Sequence, residues 1–243
     1  MYKILFSCGM ILSLVNVGFS QHNESFFERY DQFLTTYTKE GGIDFDRLKL
    51  QPEILNEVYE AIGNINLEGK SPAFKKAFLI NAYNILVIKQ EQVFYPIKSP
   101  NEVNGFFDNI THIVAGKEYT LDGLEKQFLL KEFPDPRVHL VLVCGAKGCP
   151  KLLNKAYRPE RLDEQIDEQV KTILNDPEFL IVNKDQSEIS LSEIFKWYKD
   201  DFTENDSDVL DFINRYRIEK LSKESAVSFY AYDWSINTMS KED

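Results

Sequence analysis

The residues best suited to chemistry lie together in Pro136–Leu152, PRVHLVLVCGAKGCPKL. Cys149 follows a loop bounded by Gly145 and Gly148 and stands immediately before Pro150, where a helix is expected to begin. A cysteine at a helix N-terminus feels the partial positive charge of unpaired N–H groups, and Lys147 would add to it, so the thiolate is favoured. A thiolate is the nucleophile of thiol-dependent hydrolases and acyl transferases. His139, ten residues earlier, is the candidate base or orienting group. Val138–Cys144 reads as a buried strand, on which alternate side chains take opposite faces. His139 would then share a face with Val141 and Val143 and point away from Cys144, so it reaches Cys149 only if the loop folds back. A bland reading stands beside the reactive one. His139 is then a hydrogen-bonded core residue, and Cys149 is an inert apolar side chain or half of a disulfide with Cys144.

Asn81 and Asn84 interrupt the apolar run FLINAYNILVIK, Phe78–Lys89. Three residues apart, they share one face of a helix buried on nearly every side. Buried amides need partners, so the pair either ties loop backbone to the helix or lines a ligand pocket. Arg137 either pairs with Glu125 or Asp135 or holds an anionic substrate. The aromatic residues Tyr230, Tyr232 and Trp234 suit core packing better than a sugar platform. His22, His112 and His139 do not pair at zinc-ligand spacing, so no metal residue is assigned, and a carboxylate-only metal site stays open. No cofactor is expected.

The elements that would position these groups follow from periodicity and caps. Phe26, Phe27, Tyr30, Phe33 and Leu34 predict an amphipathic helix from Glu24 to Tyr37. Pro52 opens a helix, and Ser71-Pro72 caps a central one running to about Val93. Ile110–Ala115 and Glu118–Leu121 predict a hairpin, and Asp122 with Glu125 a helix start. Arg161–Leu174 reads as a polar surface helix. A second hairpin is expected over Phe179–Asn183 and Glu188–Leu191, and Ser190 with Glu193 as the capping box of the next helix. Val209–Tyr216 is helical, and Phe229–Asn237 extended. Helices and hairpins without regular alternation predict an α+β fold: a central buried helix packed against a small, mainly antiparallel sheet, with surrounding helices.

Residues 1–20 read as a secretory signal peptide, with Lys3, an apolar stretch Ile4–Val17, and small residues ahead of a cut before Gln21. The stretch is shorter than the roughly 20 residues a membrane span needs, so no transmembrane segment is expected after signal removal. The expected organisation is thus a leader, 1–20, and a single domain, 21–243, exported to the periplasm or the medium. Taking those 20 residues and their one Lys3 from the 243 leaves 223 residues and moves the formal charge from −11 to −12. So acidic a chain is not a nucleic-acid binder, because that affinity comes from Lys and Arg on phosphates.

Five blocks in order resemble one family: FLINAYNILVI, GKEYTLDGLE, DPRVHLVLVCGAKGCPKL, LSEIFKWYKDDF and YDWSIN, with GGIDFDRL as an opening. They are similar to the successive motifs of the domain-of-unknown-function 547 family, over about residues 40–237. The resemblance implies one domain, often exported in bacteria, and brings no reaction. On matching positions it points to Asn81, Tyr83, Asn84, Glu125, Arg137, His139, Cys144, Cys149 and Pro150. Lys126 stands where the family tends to have histidine. Two functions are therefore expected. One is a thiol-dependent enzyme using Cys149 and His139. The other is a non-catalytic binding or scaffold module for an unspecified small molecule or peptide, using a pocket near Asn81, Tyr83, Asn84, Glu125 and Arg137.

Overall fold

Helix α4, Pro72–Phe94, is the axis of the molecule. Ser71 caps it by accepting from the Phe74 N–H at 3.1 Å, and Pro72 occupies the first turn, where no N–H is needed. Every residue from Ala77 to Ile88 is buried, so the middle of the helix has no solvent face, as its unbroken apolar run predicts. The structure, a computed structural model, describes residues 15–183, 187–203 and 208–239. The expected leader falls mostly on residues 1–14, outside the described residues.

Around α4 the chain runs in order through α1 (Val15–Tyr37), a two-residue ribbon β1 (Thr38–Lys39) and β2 (Gly42–Ile43), α2 (Phe45–Leu50) and α3 (Glu53–Asn64). Helices α1 and α3 pack on each other, and α3 on α4. The hairpin β3 (His112–Val114) and β4 (Lys117–Tyr119) follows α4, then a π-helical turn Gly123–Leu129 that runs into α5 (Leu130–Glu132). The second half contains α6 (Leu162–Leu174), β5 (Ile181–Val182), β6 (Glu188–Ser192), α7 (Ile194–Trp197), α8 (Lys199–Thr203), α9 (Val209–Tyr216) and β7 (Ala226–Tyr230). The fold is α+β. β1–β2, β3–β4 and β5–β6 pair antiparallel, while β6 and β7 pair in parallel. Among the described residues no helix is long and apolar enough to cross a membrane.

Three expectations are corrected. Val138–Cys144 is not a strand. Pro136–Leu140 forms a 3-10 turn, started by the Asp135 carboxylate accepting from the Arg137 N–H at 3.0 Å, and the chain then runs irregularly. The apolar run reflects burial alone, which periodicity cannot distinguish from strand pairing. No helix follows Pro150 either; the next helical turn is Pro159–Arg161. The Ser190–Glu193 capping box is also absent. Ser190 lies within β6, Ser192 accepts from the Ile194 N–H at 3.4 Å, and the Glu193 carboxylate accepts from the Tyr232 N–H at 3.2 Å.

The irregular stretch is held by amide side chains from the two flanking helices. On α4, Asn84 donates to the Val141 carbonyl at 3.1 Å and accepts from the Val143 N–H at 2.9 Å. Asn81 does the same for Tyr157, at 2.8 and 3.0 Å. On α6, Gln165 donates to the Ala156 carbonyl at 2.9 Å and accepts from the Arg158 N–H at 2.7 Å, and Gln169 donates to Lys151 at 2.7 Å. Buried backbone without a strand partner must be satisfied somewhere, and side-chain amides carry both a donor and an acceptor. Helix α6, expected as a surface helix, therefore buries one full face, from Leu162 and Gln165 to Ile173 and Leu174.

Candidate functional site

A cavity of about 510 Å³ opens beside α4. Tyr83, Glu125, His139 and Tyr198 line its buried end, the Cys144–Cys149 loop one wall, and Trp197 and Trp234 its exposed end. The size suits a small molecule.

Glu125 lines the cavity from within the π-helical turn. The Leu130 N–H bonds back five residues to the Glu125 carbonyl, which widens the helix at that point. Such turns recur at functional sites. The expected Asp122 cap does not form: Thr120 accepts from the Gly123 N–H at 3.0 Å, and Asp122 pairs with Lys126 at 2.8 Å. The Glu125 carboxylate accepts from the Tyr198 hydroxyl at 3.0 Å and from that of Tyr83. Burial raises the Glu125 pKa above its ordinary value, and the two tyrosine hydroxyls oppose that rise. Burial and the facing carboxylate push both tyrosines up, so they remain protonated donors.

His139 is 4 % exposed. Its ring stacks on Tyr198 with centroids 3.7 Å apart, and Nε2 lies 2.7 Å from Asp201 Oδ2. Burial lowers the His139 pKa despite Asp201, so the ring is neutral near pH 7. A carboxylate can only accept, so the proton sits on Nε2 and the lone pair on Nδ1. Nδ1 is buried without a hydrogen-bond partner among the described residues; Glu125 Oε1 lies 3.8 Å away.

The sulfurs of Cys144 and Cys149 are joined in a disulfide, with Cα atoms 6.2 Å apart. The Tyr232 hydroxyl lies 3.0 and 3.1 Å from the two sulfurs. This corrects the reactive reading of Cys149. A half-cystine is not a thiolate, and the helix N-terminus that was to activate it does not exist. The facing argument for His139 and Cys144 falls with the strand: His139, Cys144 and Cys149 all line the one cavity.

The remaining expected residues divide. Tyr83 and Glu125 line the cavity. Asn81 and Asn84 do not; they are the backbone clamps described above. Arg137 also lies elsewhere, in bidentate contact with Asp135 and bonded to Asp163 and Asp167. Burial alone would raise the Asp135 carboxyl, but Arg137 and Lys76 outweigh it and bring the pKa to about 2. The reading of Arg137 as an ion-pair residue holds, with Asp135 joined by Asp163 and Asp167 as partners.

Sequence reasoning missed Tyr198, Asp201, Trp197 and Asp122 as site residues. Tyr198 lies between α7 and α8 and Asp201 on α8, so no regular helical spacing in the sequence signalled that both would meet the His139 ring. Tyr232 and Trp234 were assigned to core packing. Tyr232 is buried as expected, yet both residues also face the cavity. No group of three or more histidine, cysteine or carboxylate side chains among the described residues is arranged to hold a metal ion.

Residues 67–174 match the family model described as "Protein of unknown function, DUF547". No curated protein and no solved structure matches the chain. The matched segment carries Tyr83, Glu125, His139 and the disulfide; Trp197, Tyr198, Asp201 and Trp234 come from beyond it.

Proposed function

We propose, from the cavity and with residues 67–174 resembling a family that brings no activity with it, that this protein is an exported, non-catalytic binding domain for a small molecule. One observation carries the reading: the sulfur of Cys149 is bonded to Cys144 in the cavity wall, so the best nucleophile in the sequence is not free. The remaining polar groups at the buried end largely satisfy one another, as a preorganised binding surface does. An oxidising compartment suits such a disulfide, in keeping with the leader-like residues 1–20.

The reading is tested by a thermal-shift screen of the disulfide-bonded protein against small metabolites. It expects a compound that raises the midpoint, with the gain lost in Trp197→Ala. No stabilising compound, or gains indifferent to cavity variants, would overturn it. The thiol reading is favoured only by the shared position of His139 and Cys149 on one cavity, with His139 as base. It requires a free Cys149 in the native protein, alkylated by iodoacetamide at pH 6.5 without reductant. Export is tested by the N-terminus of the native protein, expected near Gln21.

A further inference from the structure

We infer that the ligand of this cavity carries a protonated amine with N–H donors, attached to an apolar body. The inference rests on the binding-domain reading and names its chemical class.

Three observations converge. The first is charge. Asp108, Asp122 and Glu125 line the cavity, and no lysine or arginine does so among the described residues. Lys126, outside the lining, pairs with Asp122 and its charge also acts on Glu125 from a distance, but among the described residues no lysine or arginine forms an ion pair with Glu125 at the buried end. An anionic ligand would meet uncompensated like charge here. The second is the exposed end. Both tryptophans of the chain gather there with Tyr232: Trp197 and Trp234 lie 5.8 Å apart at 28°, and Tyr232 is 4.9 Å from each. Trp197 is 45 % exposed, an unusual position for so large an apolar surface. Aromatic faces attract organic cations and cover apolar ligand surface.

The third observation separates a cation from a neutral ring compound. His139 Nδ1 and Glu125 Oε1 face each other at 3.8 Å, two acceptors with no donor between them. Tyr83 and Tyr198 already donate to Glu125, and His139 donates its single ring proton, on Nε2, to Asp201. Two such acceptors side by side suit a group that donates more than once. An ammonium supplies N–H to both acceptors and its charge to the carboxylate; a hydroxyl has one proton and no charge.

The test uses tryptophan fluorescence of the full-length, disulfide-bonded protein. It is titrated with 2-phenylethylamine, its neutral isostere 2-phenylethanol, and the anion 3-phenylpropionate. The amine is expected to bind saturably and at least tenfold more tightly than the alcohol, and the acid not to saturate. Glu125→Gln keeps the shape and the Tyr198 bond while removing the charge, and is expected to erase the amine's advantage over the alcohol. If that variant does not fold by circular dichroism, 2-phenylethyltrimethylammonium, which keeps the ring and the charge but lacks N–H, takes its place with the wild type and should bind at least tenfold more weakly than the amine. Alcohol and amine binding equally would overturn the cation and leave the binding domain standing. Preferential binding of the acid, or amine binding unchanged in folded Glu125→Gln, would also overturn it. If none of the three probes binds, the amine inference fails, and the metabolite screen judges the binding domain separately.

Discussion

Glu91 is a buried carboxyl whose two oxygens have no hydrogen-bond partner among the described residues. It packs against Gly145, whose φ of +83° suits glycine and where any Cβ would collide with the carboxyl group. Burial raises the Glu91 pKa well above its ordinary value. The linkage follows directly. Below pH ~4.5 the group is protonated in both the folded and unfolded states and adds no pH dependence to stability. Above that, the unfolded chain releases a proton that the folded one keeps, so stability falls as pH rises toward the folded pKa, by at most about 1.4 kcal/mol per unit. Glu91→Gln should therefore stabilise the protein at pH 7 and less so at pH 4, read from urea midpoints; a gap that does not widen with pH would refute this. Asn84 behaves oppositely. Asn84→Ala strips the Val141 carbonyl and the Val143 N–H of their partners and should cost about 1–3 kcal/mol per orphaned group. A gain in midpoint would contradict its role as a clamp.

Among the elements, the stretch from Val141 to Arg158 lacks regular structure but is not loose. Amides from α4 and α6 bind its backbone from both sides, and the disulfide closes its tightest loop. Cys144 and Cys149 are five apart in sequence, and closing so short a loop is worth about 2 kcal/mol on the chain-entropy account. The double replacement Cys144→Ala with Cys149→Ala should lower stability by about that amount while the helical circular dichroism persists. Collapse of the fold would mean that the amides alone do not hold the stretch. The hairpin β3–β4 depends on a second buried network. His112 Nε2 lies 2.8 Å from Gln90 Oε1 on α4, and Nδ1 3.3 Å from the Tyr59 hydroxyl on α3. Burial brings the His112 pKa down to about 4. Its neutral form therefore supports the fold fully above pH ~6.5, and that support is lost as pH falls from there toward 4. Hydrogen exchange in His112–Tyr119 should rise over this window ahead of the core of α4; protection that holds to pH 4 would exclude the network as the hairpin's anchor.

At the scale of the whole molecule, one apolar core runs from Phe26 on α1 through α4 to Phe212 on α9 and Ile236 near the end of the chain. The C-terminal segment is stitched to both halves: the Asn237 N–H donates to the Gly145 carbonyl at 2.8 Å and the Ile43 N–H to the Asn237 carbonyl at 3.1 Å. A core this continuous should unfold as a unit. Tryptophan fluorescence, which reports the cavity mouth, and far-ultraviolet circular dichroism, which reports the helices, should give one coincident urea transition. An earlier fluorescence transition would mean that the half bearing Trp197 and Trp234 opens by itself.

Much of the fold was legible because it is encoded locally. Phe26, Tyr30 and Phe33 repeat at helical spacing, Ser71-Pro72 is a complete start signal, and an apolar run as long as Phe78–Ile88 can only be a helix buried all round. Gly116, at φ +76°, marks the turn of the first hairpin. The run Val138–Cys144 misled because burial and strand pairing write the same pattern; whether it becomes a strand depends on a neighbouring strand elsewhere in the chain, and helices α4 and α6 offered side-chain amides in place of one. The site was legible as residue types, since Tyr83, Glu125, His139 and Cys149 were all singled out. It was not legible as a constellation. Asp201, the partner of His139, is 62 residues away, and Tyr232, which touches both sulfurs, is more than 80 residues from either. Sequence by itself determined what each segment could bury and where each helix could begin. Only the tertiary structure decided which buried polar groups meet, because a hydrogen bond depends on the position of both partners while burial depends on one.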